Sequence, residues 1–149
     1  MSDLRGPGSG RLGDFLNYWN SLRKGQALPL KADFDPLDIP RLLPYTELID
    51  VLYDPLDFHY RLLGTAIDEI SRQSYGGLKV SEIPSQKEPS TMFSLYQKAV
   101  LSGEPSFTEL DYVGEVVGVY GVKCIVCPMT QEPGGPVTCL AGCIDLVGR

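Results

Sequence analysis

The chain has 149 residues, 43% of them hydrophobic and 21% charged, with a formal net charge of −6. That length hides roughly 70% of the extended chain's surface, enough for one domain with its own core and no need of disulfide staples. The acidic balance, with no run of Lys and Arg, lacks the basic footprint that nucleic acid or an anionic membrane surface requires, and no stretch reaches the length of a membrane span.

The first residues, MSDLRGPGSGRLGDF, lack the apolar core of a signal peptide, so a cytoplasmic protein with reduced thiols is expected. Residues 1–10 contain Gly, Ser and Pro and are expected to be disordered, with one domain over residues 11–149. Gly8 to Gly13 match G-x-G-x-x-G, but no strand precedes them as a dinucleotide site demands. Leu12, Phe15, Leu16, Trp19 and Leu22 then recur at helical spacing, with Arg23 and Lys24 in the last turn and Gly25 as a stop. This is an amphipathic flanking helix within residues 11–25. Its apolar stripe needs a cover, either a partner in a homodimer or the chain's own sheet.

Pro29, Pro36, Pro40 and Pro44 forbid a long helix in the next segment. Asp33, Asp35 and Asp38 there read either as metal ligands or as caps of turns beside proline; the second reading fits each position. TELIDVLYD and DFHYRLLG, joined by DPLD, predict a hairpin of Thr46–Tyr53 with Phe58–Leu63. Strict alternation would put Phe58, Tyr60 and Leu62 on one face and His59, Arg61 and Leu63 on the other. Thr65 with Asp68 suggests a capped start of a short helix whose apolar side carries Ile67 and Ile70. YGGLKVSEIP reads as a loop. Pro89 and Gly103 bracket a helix with Met92, Leu95, Tyr96, Ala99 and Val100 on its apolar stripe. SFTELDYV, VVGVYGVKCIVCPMT and PVTCLAGCIDLV are strand-like and complete a meander. The whole is α+β.

The order of elements, with YWNSLRKG, LPLKADFDPLDIPRLLPY, FHYRLLGT, YGGLKVSEI, LYQKAVLSGEPS and CIVCPM, resembles a bacterial family of small, stand-alone PAS-domain proteins. The YRLLGT string at Tyr60 to Thr65 is the most specific part of the likeness. The resemblance implies a five-stranded antiparallel sheet with helices packed on one face, beside the N-terminal amphipathic helix. It also implies a small cavity between them and a sensory or interaction role exerted through a downstream signalling protein. Two departures stand out: Gly76-Gly77-Leu78 where the family usually carries Thr-Gly-Arg, and Cys127 where an aliphatic residue is expected.

C-x-x-C at Cys124 and Cys127, with Cys139 and Cys143, raises zinc or redox chemistry. On a strand, residues three apart point to opposite faces, and residues four apart lie about 13 Å apart. Core thiols therefore fit better than a zinc site, and Cys127 becomes a candidate pocket wall. His59 is the single histidine; haem ligation through it is one reading, a solvated strand residue the other, and no flavin-attachment motif is present. Arg61 is either half of an ion pair with the DFDPLD segment or an anchor for an acidic ligand. Tyr60, Leu62, Ile67, Ile70, Met92, Leu95 and Tyr96 are the candidate lining of a cavity for a small organic ligand. No catalytic constellation is expected. The rival readings are a ligand-free interaction domain, a zinc-binding domain or a small α+β enzyme.

Overall fold

The computed structural model describes residues 10–71, 73–112, 114 and 116–148. The stretch expected to be disordered therefore lies, up to residue 9, outside the described residues. Helix α1 spans Gly10–Ser21, and three 3-10 turns follow at Lys31–Asp33, Pro36–Asp38 and Leu43–Tyr45. Strands β1 (Thr46–Leu52) and β2 (Asp57–Leu63) form the hairpin, and α2 covers Thr65–Ser71. A 3-10 turn at Val80–Glu82 leads to α3 (Thr91–Ser102), and the chain closes with β3 (Ser106–Asp111), β4 (Gly121–Thr130) and β5 (Val137–Val147). No helix among the described residues is long and apolar enough to cross a membrane.

The five strands make one antiparallel sheet in the order β2-β1-β5-β4-β3. Residues 77–79 cover the outer edge of β2. The Gly77 amide donates to the Tyr60 carbonyl at 2.7 Å, and the Tyr60 amide donates to the Leu78 carbonyl at 2.9 Å. This edge cover keeps β2 from offering an open ladder to another chain. The Gly-Gly-Leu departure thus sits in a backbone seam, with Leu78 itself exposed.

Each face of the sheet is covered. On one, α2, the Val80–Glu82 turn and α3 pack over Ile49, Val51, Phe58, Tyr60, Cys124, Val126, Leu140 and Ile144. Helix α3 is set by the expected brackets: Ser90 accepts from the Phe93 amide at 3.0 Å as N-cap, and Gly103 ends the helix. Thr65, expected as a cap, is instead the first residue of α2, and the Gly64 carbonyl accepts the Ile67 and Asp68 amides. A Cβ at Gly64 would run into the Pro44 carbonyl, which accounts for the glycine in YRLLGT.

The opposite face lies under α1 and the proline-rich segment, where Leu12, Phe15, Trp19, Phe34 and Leu42 meet Ile125, Cys127, Met129, Cys139, Ala141 and Cys143. Of the two covers envisaged for the α1 stripe, the sheet is the one observed. Leu12 and Trp19 keep 2% of their exposure and Phe15 none, so within the chain these three face the sheet; Leu16 and Leu22 pack at the margin of the same cluster. The reason is chemical fit. The patch of β4 and β5 beneath these side chains is itself apolar, and burying a side chain the size of Trp or Phe against it removes 150–250 Å² from water, as is typical of aromatic residues.

Strand β4 starts later than the strand-like run suggested, at Gly121, and continues through Pro128 to Thr130. Its pairing with β3 stops at Val126, so the missing amide of Pro128 faces no strand partner. The Pro128 carbonyl accepts the buried Trp19 Nε1–H at 2.9 Å, and the Thr130 amide donates to the Pro29 carbonyl at 3.0 Å.

Candidate functional site

A cavity of about 250 Å³ opens between the sheet and α2 and α3. Strand alternation builds its floor. Glu47, Ile49 and Val51 share one face of β1, so the pattern that buries two aliphatic residues also buries an acid. Glu47 is 4% exposed. Gly142 on β5 lies beside it; a Cβ there would stand 2.7 Å from Glu47 Oε2 and 3.0 Å from the Ile125 carbonyl, so only glycine leaves the carboxyl its place.

Burial removes the water that would stabilise a carboxylate, and this pushes Glu47 up to about 7 against a weaker lowering by the Tyr96 hydroxyl. That hydroxyl stands 3.5 Å from Oε2. Tyr96 Oη is 2.8 Å from Tyr60 Oη, and Tyr60 in turn donates to Gln86 Oε1. The line Glu47–Tyr96–Tyr60–Gln86 crosses from β1 through α3 and β2 to the segment that leads into α3. Burial, then the charge of Glu47, raises the pKa of both tyrosines, so they stay protonated.

Of the expected lining residues, Tyr60, Ile67, Ile70, Met92 and Tyr96 do face the cavity. Four do not. Tyr60 faces Ile49 and Leu62 faces Leu48, leaving Arg61 as an extra residue in β2. This bulge shifts the alternation by one, so Leu63 lines the cavity in place of Leu62. The same bulge turns Arg61 outward. Its side chain is 54% exposed, and it pairs with Asp50 of β1, Nε donating to Oδ1 at 3.0 Å, and with no residue of the DFDPLD segment. His59 shares Asp50 at 3.2 Å. Burial would raise the Asp50 carboxyl, but Arg61 and His59 outweigh it and hold it below the ordinary range. Leu95, on α3, is buried in the core without reaching the cavity.

The fourth is Cys127, which lies under α1 on the far face; Cys124 is the thiol in the cavity wall. All four cysteines are buried and free, and burial raises each thiol, Cys139 to about 11 and Cys143 to about 12. Such thiols are poor nucleophiles and poor metal ligands. The three aspartates of the proline-rich segment act in turns: Asp35 accepts the Leu37 amide, Asp38 accepts the Tyr18 hydroxyl at 2.8 Å, and Asp33 faces Lys24. Among the described residues no group of three or more His, Cys, Asp or Glu side chains forms a metal site.

Glu47, Gln86, Tyr75 and Tyr112 are lining residues that the sequence reading missed. Glu47 was detectable as the one acid in phase with Ile49 and Val51. Gln86 had no such signal, because its placement depends on how the loop before α3 folds back onto β2.

The PAS-domain family matches residues 9–144 of the chain. No curated protein matches it.

Proposed function

The chain belongs to the PAS-domain family, and from that premise we propose that it is a sensory module that takes up a small organic molecule between sheet and helices and signals through a partner protein. PAS domains are in general non-catalytic sensory or interaction modules in signalling. The observation that carries the finer reading is the cavity of about 250 Å³ with a buried carboxyl and two linked tyrosine hydroxyls set in an otherwise apolar wall. Small-molecule sites have this make-up: mostly apolar, with a few converging polar groups that orient the ligand. Tyr96 and Met92 stand on α3, and Ile67 and Ile70 on α2, so a bound molecule would touch both helices that cover this face. Output in the cytoplasm, through a protein docked on those helices, follows as part of the proposal. A homodimer is no longer motivated by the α1 stripe.

Native mass spectrometry of the purified protein, followed by a thermal-shift screen of a metabolite library, tests the reading. A retained or stabilising small molecule whose effect is lost on substituting Tyr96→Trp, which fills the space, is the expected result. Protein that carries nothing and is shifted by nothing is instead a ligand-free interaction module.

A further inference from the structure

The reading of the cavity as a ligand site leaves the class of ligand open, and the polar groups of its wall narrow it. Among the described residues the charged side chains of the lining are Glu47 and Asp111, with no Lys, Arg or His. An anionic ligand would enter beside a buried carboxyl with no cation to receive it, which is the arrangement that burial penalises most.

Among the described residues Glu47 also has no close donor. Tyr60 gives its hydroxyl hydrogen to Gln86 Oε1, so the 2.8 Å contact between the two tyrosines is made by the hydrogen of Tyr96. What remains for Glu47 is the long 3.5 Å approach of that same hydroxyl. A carboxyl buried with its acceptor oxygens this poorly served costs free energy until a donor arrives. Four tyrosines, Tyr60, Tyr75, Tyr96 and Tyr112, line the same cavity. Aromatic faces attract cations, most strongly in desolvated sites. The rest of the wall, with Leu63, Ile67, Ile70 and Met92, suits a hydrocarbon body. At roughly 30 Å³ per water the volume equals about eight waters, room for on the order of ten heavy atoms.

From this combination of an under-served buried carboxyl, a tyrosine-rich wall and no basic residue among the described lining, we infer that the cavity selects a small amphipathic amine whose protonated nitrogen pairs with Glu47. The net charge of −6 favours the approach of such cations over long range.

Three probes of one shape test this: 2-phenylethylamine as the cation, 2-phenylethanol as its neutral counterpart and phenylacetate as the anion, each titrated calorimetrically. The amine is expected to bind at least about tenfold more tightly than the alcohol, the worth of a hydrogen bond to a charged group, and phenylacetate more weakly than both. Because Glu47 titrates near 7, amine affinity is expected to fall by about tenfold per pH unit below that value as the carboxyl must first lose its proton; the alcohol's affinity is not. The groups facing Glu47 from the neighbouring elements are Tyr96 on α3, Tyr60 on β2 and Cys124 on β4, with Cys143 on β5 behind the sheet, and burial keeps all four protonated over this range. Glu47→Gln should erase the amine's advantage and spare the alcohol, while Glu109→Gln, at an exposed acid of β3 outside the lining, should preserve both the advantage and its pH dependence. The wild-type pH series carries the test should the Gln variant fold poorly.

Equal binding of amine and alcohol, or an advantage that survives Glu47→Gln, overturns the amine assignment and leaves the ligand cavity standing. If none of the three binds, the assignment falls; the ligand cavity falls with it only if the metabolite library also shifts nothing.

Discussion

Under α1, Trp19, Phe15 and Leu12 close over Ile125, Cys127, Met129, Cys139, Ala141 and Cys143, all nearly or fully buried. Across the same sheet, under α2 and α3, alternate residues of the same strands leave a space of about 250 Å³ and bury Glu47 in its wall. The α1 face satisfies its buried polar groups: the Trp19 indole N–H donates to the Pro128 carbonyl and the Thr46 hydroxyl to the Leu42 carbonyl. The cavity face leaves its buried acid with a single long contact. A domain this size has few kcal/mol to spare, so an under-satisfied group is tolerated only because the rest of the core is well packed. One face holds the fold together, and the other is free to carry a site.

The sharpest way to break this comparison is Trp19→Ala. Loss of the buried ring and its hydrogen bond is expected to cost about 3–5 kcal/mol, a fall in melting temperature on the order of 10 °C for a chain of this size. Thermal denaturation reads it, and wild-type melting would mean that α1 does not anchor the sheet.

On the cavity face the expected signature is a pH ramp. Glu47 rises from its ordinary 4.5 to about 7 on folding, so the folded protein keeps a proton that the unfolded chain releases between those values. Its contribution is complete below about pH 4.5 and is lost as the pH rises through 7, a total of about 3 kcal/mol. Urea titrations across this range should show the decline in the wild type and a flatter profile in Glu47→Gln; parallel profiles would remove Glu47 from its role.

Gly142→Ala tests how closely the acid is seated. A new Cβ 2.7 Å from Glu47 Oε2 should cost about 1–3 kcal/mol, as overpacking does, and equilibrium unfolding measures it. If stability is unchanged, the carboxyl has room to move and the comparison of faces weakens. The smallest effect belongs to the outward side of the bulge: Arg61→Ala should leave stability close to that of the wild type, as the loss of an exposed ion pair does. A larger loss in the same unfolding assay would give the Asp50–Arg61 pair a part in shaping the cavity.

The sequence by itself determined the α+β class, the order of the elements and the divergence of Cys124 from Cys127, since each follows from local periodicity, caps and the alternation of a strand. It also carried the clue to Glu47, an acid in phase with aliphatic neighbours. What only the tertiary structure decided was which face was which. Strand β4 is apolar on both sides because helices cover both, so its pattern reads as a continuous apolar run with no polar side to orient it; Cys127 could be assigned to the cavity as readily as Cys124. The bulge at Arg61 was equally invisible, because one unpaired residue is set by the register against β1 and not by the composition of β2. Those two non-local facts decide that Leu63 and Cys124, rather than Leu62 and Cys127, line the cavity.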